Sequence, residues 1–392
     1  MEILQQEIDK FKSGILLVIK LINKEELNII IEDAQKIYDR FYTIVNNACQ
    51  SFTDCRIIKT TDLSKIFIML PNDCKLAEIV AYAIFYEVHL HIDNEFQSYF
   101  RCHIGSIKFN KNEDFKIDKI LSHLFYGMKN SESPNFYFCY ENNPVDIKKL
   151  KQNNINLNLL KSSLINKKVK FMYQPIINRE SGSVEYHECL LRVLDSNNNY
   201  VSVGPMIKDA EEKGLINVVD IVVVEMAIQE LVNNPEISLS INISNIGVAN
   251  EKLLSKIEEL LNTYKVASRL IIEITETSLN LNFEITKKFI NTMHLYGCSI
   301  ALDDFGSGFT SFKQLLNLPI DIIKIDGSYI KDILINDNSK YFVKALISLA
   351  NDLGIKTVAE FVENGEIAKF LINIKIDAMQ GNFFLPASDE RA

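Results

Sequence analysis

The sequence predicts an α/β chain in two parts, a (β/α)8 barrel of TIM type with an antiparallel first strand pair over residues 151–392 and a smaller α+β region over residues 1–150. Three observations predict it. At 392 residues the chain is too long for one ordinary core. Beyond Lys167, short strand-type runs alternate with longer helical ones, the order of repeated strand–helix units. Those runs end, one after another, in acidic or polar residues, as strands do at the mouth of such a barrel.

From the N-terminus, Gly14 to Leu21 reads as a strand. Glu25 to Cys49 carries Ile29, Ile30, Ala34, Ile37, Tyr38 and Phe41 at helical spacing. Cys55 to Thr60 and Ile66 to Leu70 form an expected strand pair, Asp73 to His89 a second helix, and Phe100 to Phe109 a further strand. This order suits a sheet with helices on one face. No cluster of catalytic groups is expected before residue 150. His89, His91, His103 and His123 have no tight metal spacing and read as surface or packed side chains. The chain turns polar between Tyr140 and Leu160, which sets the border near residue 150, and Val145 to Leu164 suits a connecting helix.

In the second part, strand-type runs fall at Phe171 to Ile177, Val184 to Leu191, Leu239 to Ile243, Leu270 to Ile274, Ser299 to Leu302, Ile322 to Ile325, Lys356 to Ala359 and Ala378 to Phe384. Helical stretches at Asn217 to Val232, Glu251 to Tyr264, Phe283 to Tyr296, Ser339 to Leu353 and Gly365 to Ile372 fill most gaps. The turn Asn178 to Ser183 leaves no room for a helix, so the first two strands must be antiparallel.

Bulk properties narrow the function classes. A net charge of -9 and a pI near 5.4 exclude gripping a nucleic-acid polymer by the general surface. Seven cysteines without a CxxC pair suit free thiols in a reducing cytoplasm. The N-terminus does not read as a secretory signal, and no apolar run nears the length needed to cross a bilayer, Ile15 to Ile22 being short and broken by Lys20, so no membrane insertion is expected.

The chemistry is written in the strand ends. The run Ser299 to Leu302 stops at Asp303 and Asp304, followed by a loop with Gly306 and Gly308. Side chains alternate about a strand, so the two carboxylates diverge and suit two nearby cations better than one. Alone, such a pair is a solvated turn; its repetition changes the reading. Glu188, Asn242, Glu273 with Glu276, Lys324, and Glu360 with Glu363 end the other runs. Around one mouth these acids would repel by several kcal/mol unless protonated or bound to cations. Oxygen ligands select Mg²⁺ or Mn²⁺, and two such ions about 3.5–4 Å apart cleave phosphoesters.

The segments Tyr173-Gln174-Pro175-Ile176, Glu188-Cys189-Leu190-Leu191-Arg192, Asn242-Ile243-Ser244, Glu273-Ile274-Thr275-Glu276, Asp303 to Gly308, Lys324-Ile325-Asp326, Ala359 to Glu363 and Gln380-Gly381 resemble, in order and spacing, an EAL domain, the bacterial phosphodiesterase that hydrolyses cyclic di-GMP to linear pGpG. The resemblance covers about Phe171 to Pro386. It implies that Glu188, Asn242, Glu273 and Asp303 hold one metal, with Asp303 and Asp304 serving a second near Glu360 and Glu363. It assigns water activation to Glu360, with Lys324 holding the water or a phosphate oxygen, and leaves the choice of base to geometry. Gln174, Leu190, Arg192 and Gln380 fall among the implied dinucleotide contacts, and Glu276 where the family steadies the loop after Asp303. A homodimer is implied as well.

The first part resembles a degenerate GGDEF domain, of ferredoxin-like fold. The carriers are Ile66 to Pro71 and His103 to Ile107; where the signature should fall, the chain reads Asp62-Leu63-Ser64-Lys65-Ile66, without its glycines or metal ligands. Such a module would not cyclise nucleotides. In the EAL-like part Cys189 replaces the alanine of the name motif, Val193 an aromatic, Gly327 a frequent basic residue, and Phe361 a glycine. The expected function is a metal-dependent cyclic di-GMP phosphodiesterase, with a catalytically silent cyclic di-GMP receptor as the rival reading.

Overall fold

Residues 2–30, 34–89, 100–110, 116–131, 136–195, 197, 199–306 and 312–391 are described by a computed structural model of the chain. His91, Ser307 and Gly308 of the sequence reading lie outside them. The chain divides into two compact units, residues 1–148 and 149–392.

The first unit runs α1 (Glu2–Ile8), β1 (Ser13–Leu21), α2 (Lys24–Ile30), α3 (Ala34–Cys49), β2 (Arg56–Ile58), β3 (Lys65–Leu70), α4 (Cys74–His89), β4 (Cys102–Asn110), α5 (Ile117–Asn130) and β5 (Tyr137–Cys139). Its sheet has the order β2-β3-β1-β4-β5, antiparallel except for the β4–β5 pair. The unbroken apolar run of β1 follows from its central place. Ile15, Leu17 and Ile19 pack with α3 and α4, while Leu16 and Val18 pack with α1 and α5 on the opposite face. Helices thus cover both faces, which corrects the expectation of one. A strand apolar at every position has two faces to bury.

The helix α6 (Ile147–Ile165) leads into β6 (Val169–Asn178), β7 (Val184–Leu194), β8 (Tyr200–Ser202), α7 (Gly204–Glu212), α8 (Ile216–Asn233), β9 (Leu239–Asn242), α9 (Asn245–Val248) and α10 (Glu251–Thr263). There follow β10 (Leu270–Thr275), α11 (Glu276–Leu281), α12 (Phe283–Tyr296), β11 (Ser299–Phe305), α13 (Phe312–Leu315), β12 (Ile322–Ile325), α14 (Gly327–Lys331), α15 (Asp337–Leu353), β13 (Lys356–Ala359), α16 (Gly365–Asn373) and β14 (Ala378–Met379). The sheet order β6-β14-β13-β12-β11-β10-β9-β7 closes through β6–β7 pairing, with β8 added at the edge of β7. This is a closed eight-stranded TIM-like barrel. β6 is antiparallel to both of its neighbours, β7 and β14, as the short turn required.

The barrel interior is layered by the two-residue period of its strands. Ile176, Tyr186, Ile271, Ala301, Ile322, Val358 and Ala378 form one apolar cluster. Two residues further toward the mouth stand Gln174, Glu188, Glu273, Asp303, Lys324, Glu360 and Gln380, with Gln174 preceding Ile176 because β6 runs the other way. On β9 the corresponding pair is Ser240 and Asn242. Outward residues such as Cys189, Ile272, Leu302 and Ile323 join the core beneath the helices. Among the described residues, no helix is long and apolar enough to cross a membrane.

Candidate active site

The polar layer converges on one lysine. Lys324 is fully buried, and its Nζ lies 2.7 Å from Glu273 Oε2, 2.9 Å from Asp303 Oδ1, 2.9 Å from Glu360 Oε1 and 3.3 Å from Glu188 Oε2. These four acids come from β7, β10, β11 and the end of β13, and all are buried. Asn242 Nδ2 donates to Glu188 Oε1 at 2.8 Å, and Gln380 Nε2 donates to Glu188 Oε2 at 2.7 Å and to Gln174 Oε1 at 3.1 Å. One ammonium facing four carboxyl groups leaves a surplus of negative charge.

The surplus shows in the proton affinities. Burial, then the Glu188 and Asp303 charges, push Glu273 up to about 8 against the pull of Lys324. Burial likewise raises Glu360 well above the ordinary carboxylate range. Glu188 is lowered, because Lys324, Gln380 and Asn242 together outweigh its burial. The surrounding carboxylates hold Lys324 charged far above neutral pH in spite of its burial.

Asp303 and Asp304 sit where the β11–β12 register slips between Leu302 and Phe305, a bulge with one extra residue on β11. Asp304 has φ of +54°. The bulge turns both carboxylates toward one place, and ligand atoms of Asp303, Asp304 and Glu360 lie within 4.8 Å of one another. This corrects the expectation that the adjacent aspartates must diverge: the strand alternation that argument used is interrupted here. Burial, then Asp303 and Asp326, push Asp304 up to about 6. Asp326, which also caps α14 through Ser328 N at 2.8 Å, was assigned no role from the sequence.

The loop after β11 is anchored through Gly306. Its N–H donates to Glu276 Oε2 at 3.0 Å, and its carbonyl accepts from Tyr329 Oη at 2.9 Å. Gly306 has φ of +100°, and a Cβ there would stand 2.7 Å from the Tyr329 ring and 2.8 Å from Phe342, so glycine is required. Tyr329 stacks on Phe342 with centroids 4.1 Å apart, and neither ring was singled out from sequence.

Beside the acids lies a cavity of about 310 Å³ lined by Gln174, Glu188, Leu190, Asp304, Glu360, Phe361, Glu363, Gln380, Gly381 and Asn382. Arg192 is not among its lining residues; it is half-buried, and its Nη1 donates to Leu191 O at 3.0 Å. Cys189 points away from Glu188 into the core.

The donor set fits hard divalent cations. Glu273 Oε1 and Asp303 Oδ1 are buried without a hydrogen-bond partner, Asp303 Oδ1 lying at ion-pair distance from Lys324 but outside hydrogen-bond geometry. Buried carboxylate oxygens left unsatisfied in this way are ready ligands.

The first unit holds one cluster that sequence spacing did not reveal. Among the described residues, Cys74 at the start of α4 and Cys139 and Glu141 at and after β5 offer ligand atoms within 4.8 Å of one another, and Cys139 Sγ donates to Glu141 Oε2 at 3.5 Å. His89 is a packed side chain as expected, Nδ1 meeting Phe85 O and Nε2 accepting from Cys102 N.

Comparison with known proteins places these features. Residues 157–387 match the EAL domain family. The chain is 34% identical over 239 residues to the cyclic di-GMP phosphodiesterase PdeF of Escherichia coli, covering 60% of this chain and 32% of that protein. It is 33% identical over 290 residues to the cyclic di-GMP phosphodiesterase PdeA of Borreliella burgdorferi, covering 72% of this chain and 43% of that protein. The chain therefore spans less than half the length of these relatives. A Vibrio cholerae LapD structure described as S helix-GGDEF-EAL, bound to c-di-GMP, is alike in fold at a TM-score of 0.55 and 20% identity, covering 97% of this chain and 92% of that one.

Proposed function

The chain belongs to the EAL domain family, and on that premise we propose that it is a metal-dependent phosphodiesterase that opens cyclic di-GMP to linear pGpG. The observation that carries this reading is the convergence of Glu188, Glu273, Asp303 and Glu360 on buried Lys324 beside an open cavity. Both curated relatives described above bear the name of this activity.

Glu188, Asn242, Glu273 and Asp303 would hold one Mg²⁺ or Mn²⁺ ion, and Asp303 and Asp304, with Glu360 and Glu363 nearby, a second. Such ions supply hydroxide at neutral pH and offset charge on phosphate oxygens. Glu360, in the cavity wall beside Asp304, would take the proton of the attacking water. Lys324 keeps Glu360 oriented at 2.9 Å and faces the developing negative charge. The water oxygen forms the new P–O bond as the bond from phosphorus to a ribose O3′ breaks; that oxygen takes a proton from solvent to leave as the hydroxyl, and Glu360 returns its proton to solvent. Gln174, Leu190 and Gln380 would line the dinucleotide, and Arg192 would contact it through the guanidinium N–H groups not bonded to Leu191 O.

A degenerate GGDEF-like module over residues 1–150, a homodimer and a cytoplasmic location complete the proposal. The Vibrio cholerae fold likeness supports the first, the family resemblance the second, and seven free cysteines the third. The receptor reading draws support from Phe361, whose half-exposed ring stands in the cavity wall; the full set of acids favours the enzyme. Glu188→Ala tests the proposal. Loss of a ligand from the Lys324 cluster should lower turnover of cyclic di-GMP at least about a hundredfold, and turnover at the wild-type rate would refute the metal assignment.

A further inference from the structure

The end of β13 places an aromatic ring, as well as Glu360 and Glu363, in the cavity wall. Phe361 has φ of +53°, the left-handed region where a bulky side chain is strained. Its ring is nonetheless 50% exposed, so the strain does not serve to bury it. It lines the cavity together with Gln174, Asp304 and Glu360. The ring is seated on Gly327, where an added Cβ would stand 2.1 Å from Phe361 Cδ2 and 2.6 Å from Cγ. Lys331 Nζ lies 4.1 Å from the ring centroid, occupying one face. A glycine seat and a cation thus hold an aromatic surface at a polar, acid-lined cavity. Every nucleobase has a π-face that such a ring can stack on.

We propose that Phe361 is a specificity-determining residue that stacks on a guanine base of the dinucleotide, and that Gly327 is its positioning residue, acting only through the ring. This rests on the cyclic di-GMP reading given above. It accounts for a ring held at a glycine-like position, half open, at the edge of the phosphate chemistry.

The test measures KM and kcat for cyclic di-GMP with Mg²⁺, and Kd with Ca²⁺, for the full-length chain and for Phe361→Leu, Phe361→Tyr and Gly327→Ala. Phe361→Leu keeps apolar bulk without the π-face and should raise KM and Kd at least about fivefold, with kcat changed less. Phe361→Tyr should restore both constants. Gly327→Ala should reproduce the Phe361→Leu defect although Gly327 does not line the cavity. Unchanged KM and Kd in Phe361→Leu would overturn the proposal, as would a rise in kcat/KM, which would make the ring an obstruction. A wild-type chain that neither binds nor cleaves cyclic di-GMP would instead refute the function itself, and this assignment with it.

Discussion

Lys324 sets the electrostatics of the barrel mouth. It is a fully buried cation whose four acidic neighbours are buried with it. Burying an ion pair is not in itself stabilising, but removing one partner leaves uncompensated charge in a low dielectric. Lys324→Met should therefore cost about 3–5 kcal/mol, a drop in Tm of roughly 10 °C for a unit of this size. Saturating Mg²⁺ or Mn²⁺ should recover part of it by binding the same carboxylates. A thermal melt with and without the cation checks this; an unchanged Tm would show that the carboxyl groups are already neutral.

The strands and helices deliver these residues, and at this scale the sequence was most readable. All eight barrel strands follow from strand-type runs, because each is short, apolar and bounded by polar turns. The last shrinks to Ala378–Met379, since its aromatic residues Phe383 and Phe384 lie beyond the sheet. Helices α9, α11, α13 and α14 were missed because four to six residues are too few to show a helical period, and the longer α1, α5 and α7 were missed as well. The bulge at Asp303 was missed for a different reason, since an extra residue in one strand is defined by the partner strand's register. Side chains that reach across elements were equally hidden. Asp220 on α8 is one: its Oδ2 accepts from Ser244 Oγ at 2.6 Å and its Oδ1 from Ser244 N at 3.2 Å, fixing the turn after the Asn242 strand. Burial pushes its carboxyl up to about 6 from an ordinary 3.8. A raised carboxyl pKa means that stability is full below the unfolded value and is lost as pH rises through the folded one. Wild type should thus lose up to about 3 kcal/mol between about pH 4 and 6 relative to Asp220→Asn, whose side chain does not ionise. Urea unfolding of both proteins across this range measures the difference; a pH-independent gap would contradict it.

At the scale of the whole molecule, each unit has its own core. The second is built from the barrel and its helices, including Leu160 of α6; the first from the two faces of its sheet. A fragment beginning at Ile147, which keeps α6 intact, should fold on its own and retain hydrolysis, as circular dichroism and turnover would show. A fragment that fails to fold would mean that the barrel depends on residues before α6. The N-terminal role was less legible than the barrel's because its resemblance rests on two strands whose chemistry-bearing residues are gone, whereas the barrel repeats one polar signal at the end of nearly every strand. The decisive measurement is to incubate the purified full-length chain with cyclic di-GMP, with Mg²⁺ or Mn²⁺ and with a chelator, and to separate the products. The acid cluster around Lys324 predicts linear pGpG with either cation and none with the chelator; intact cyclic di-GMP under every condition would contradict it.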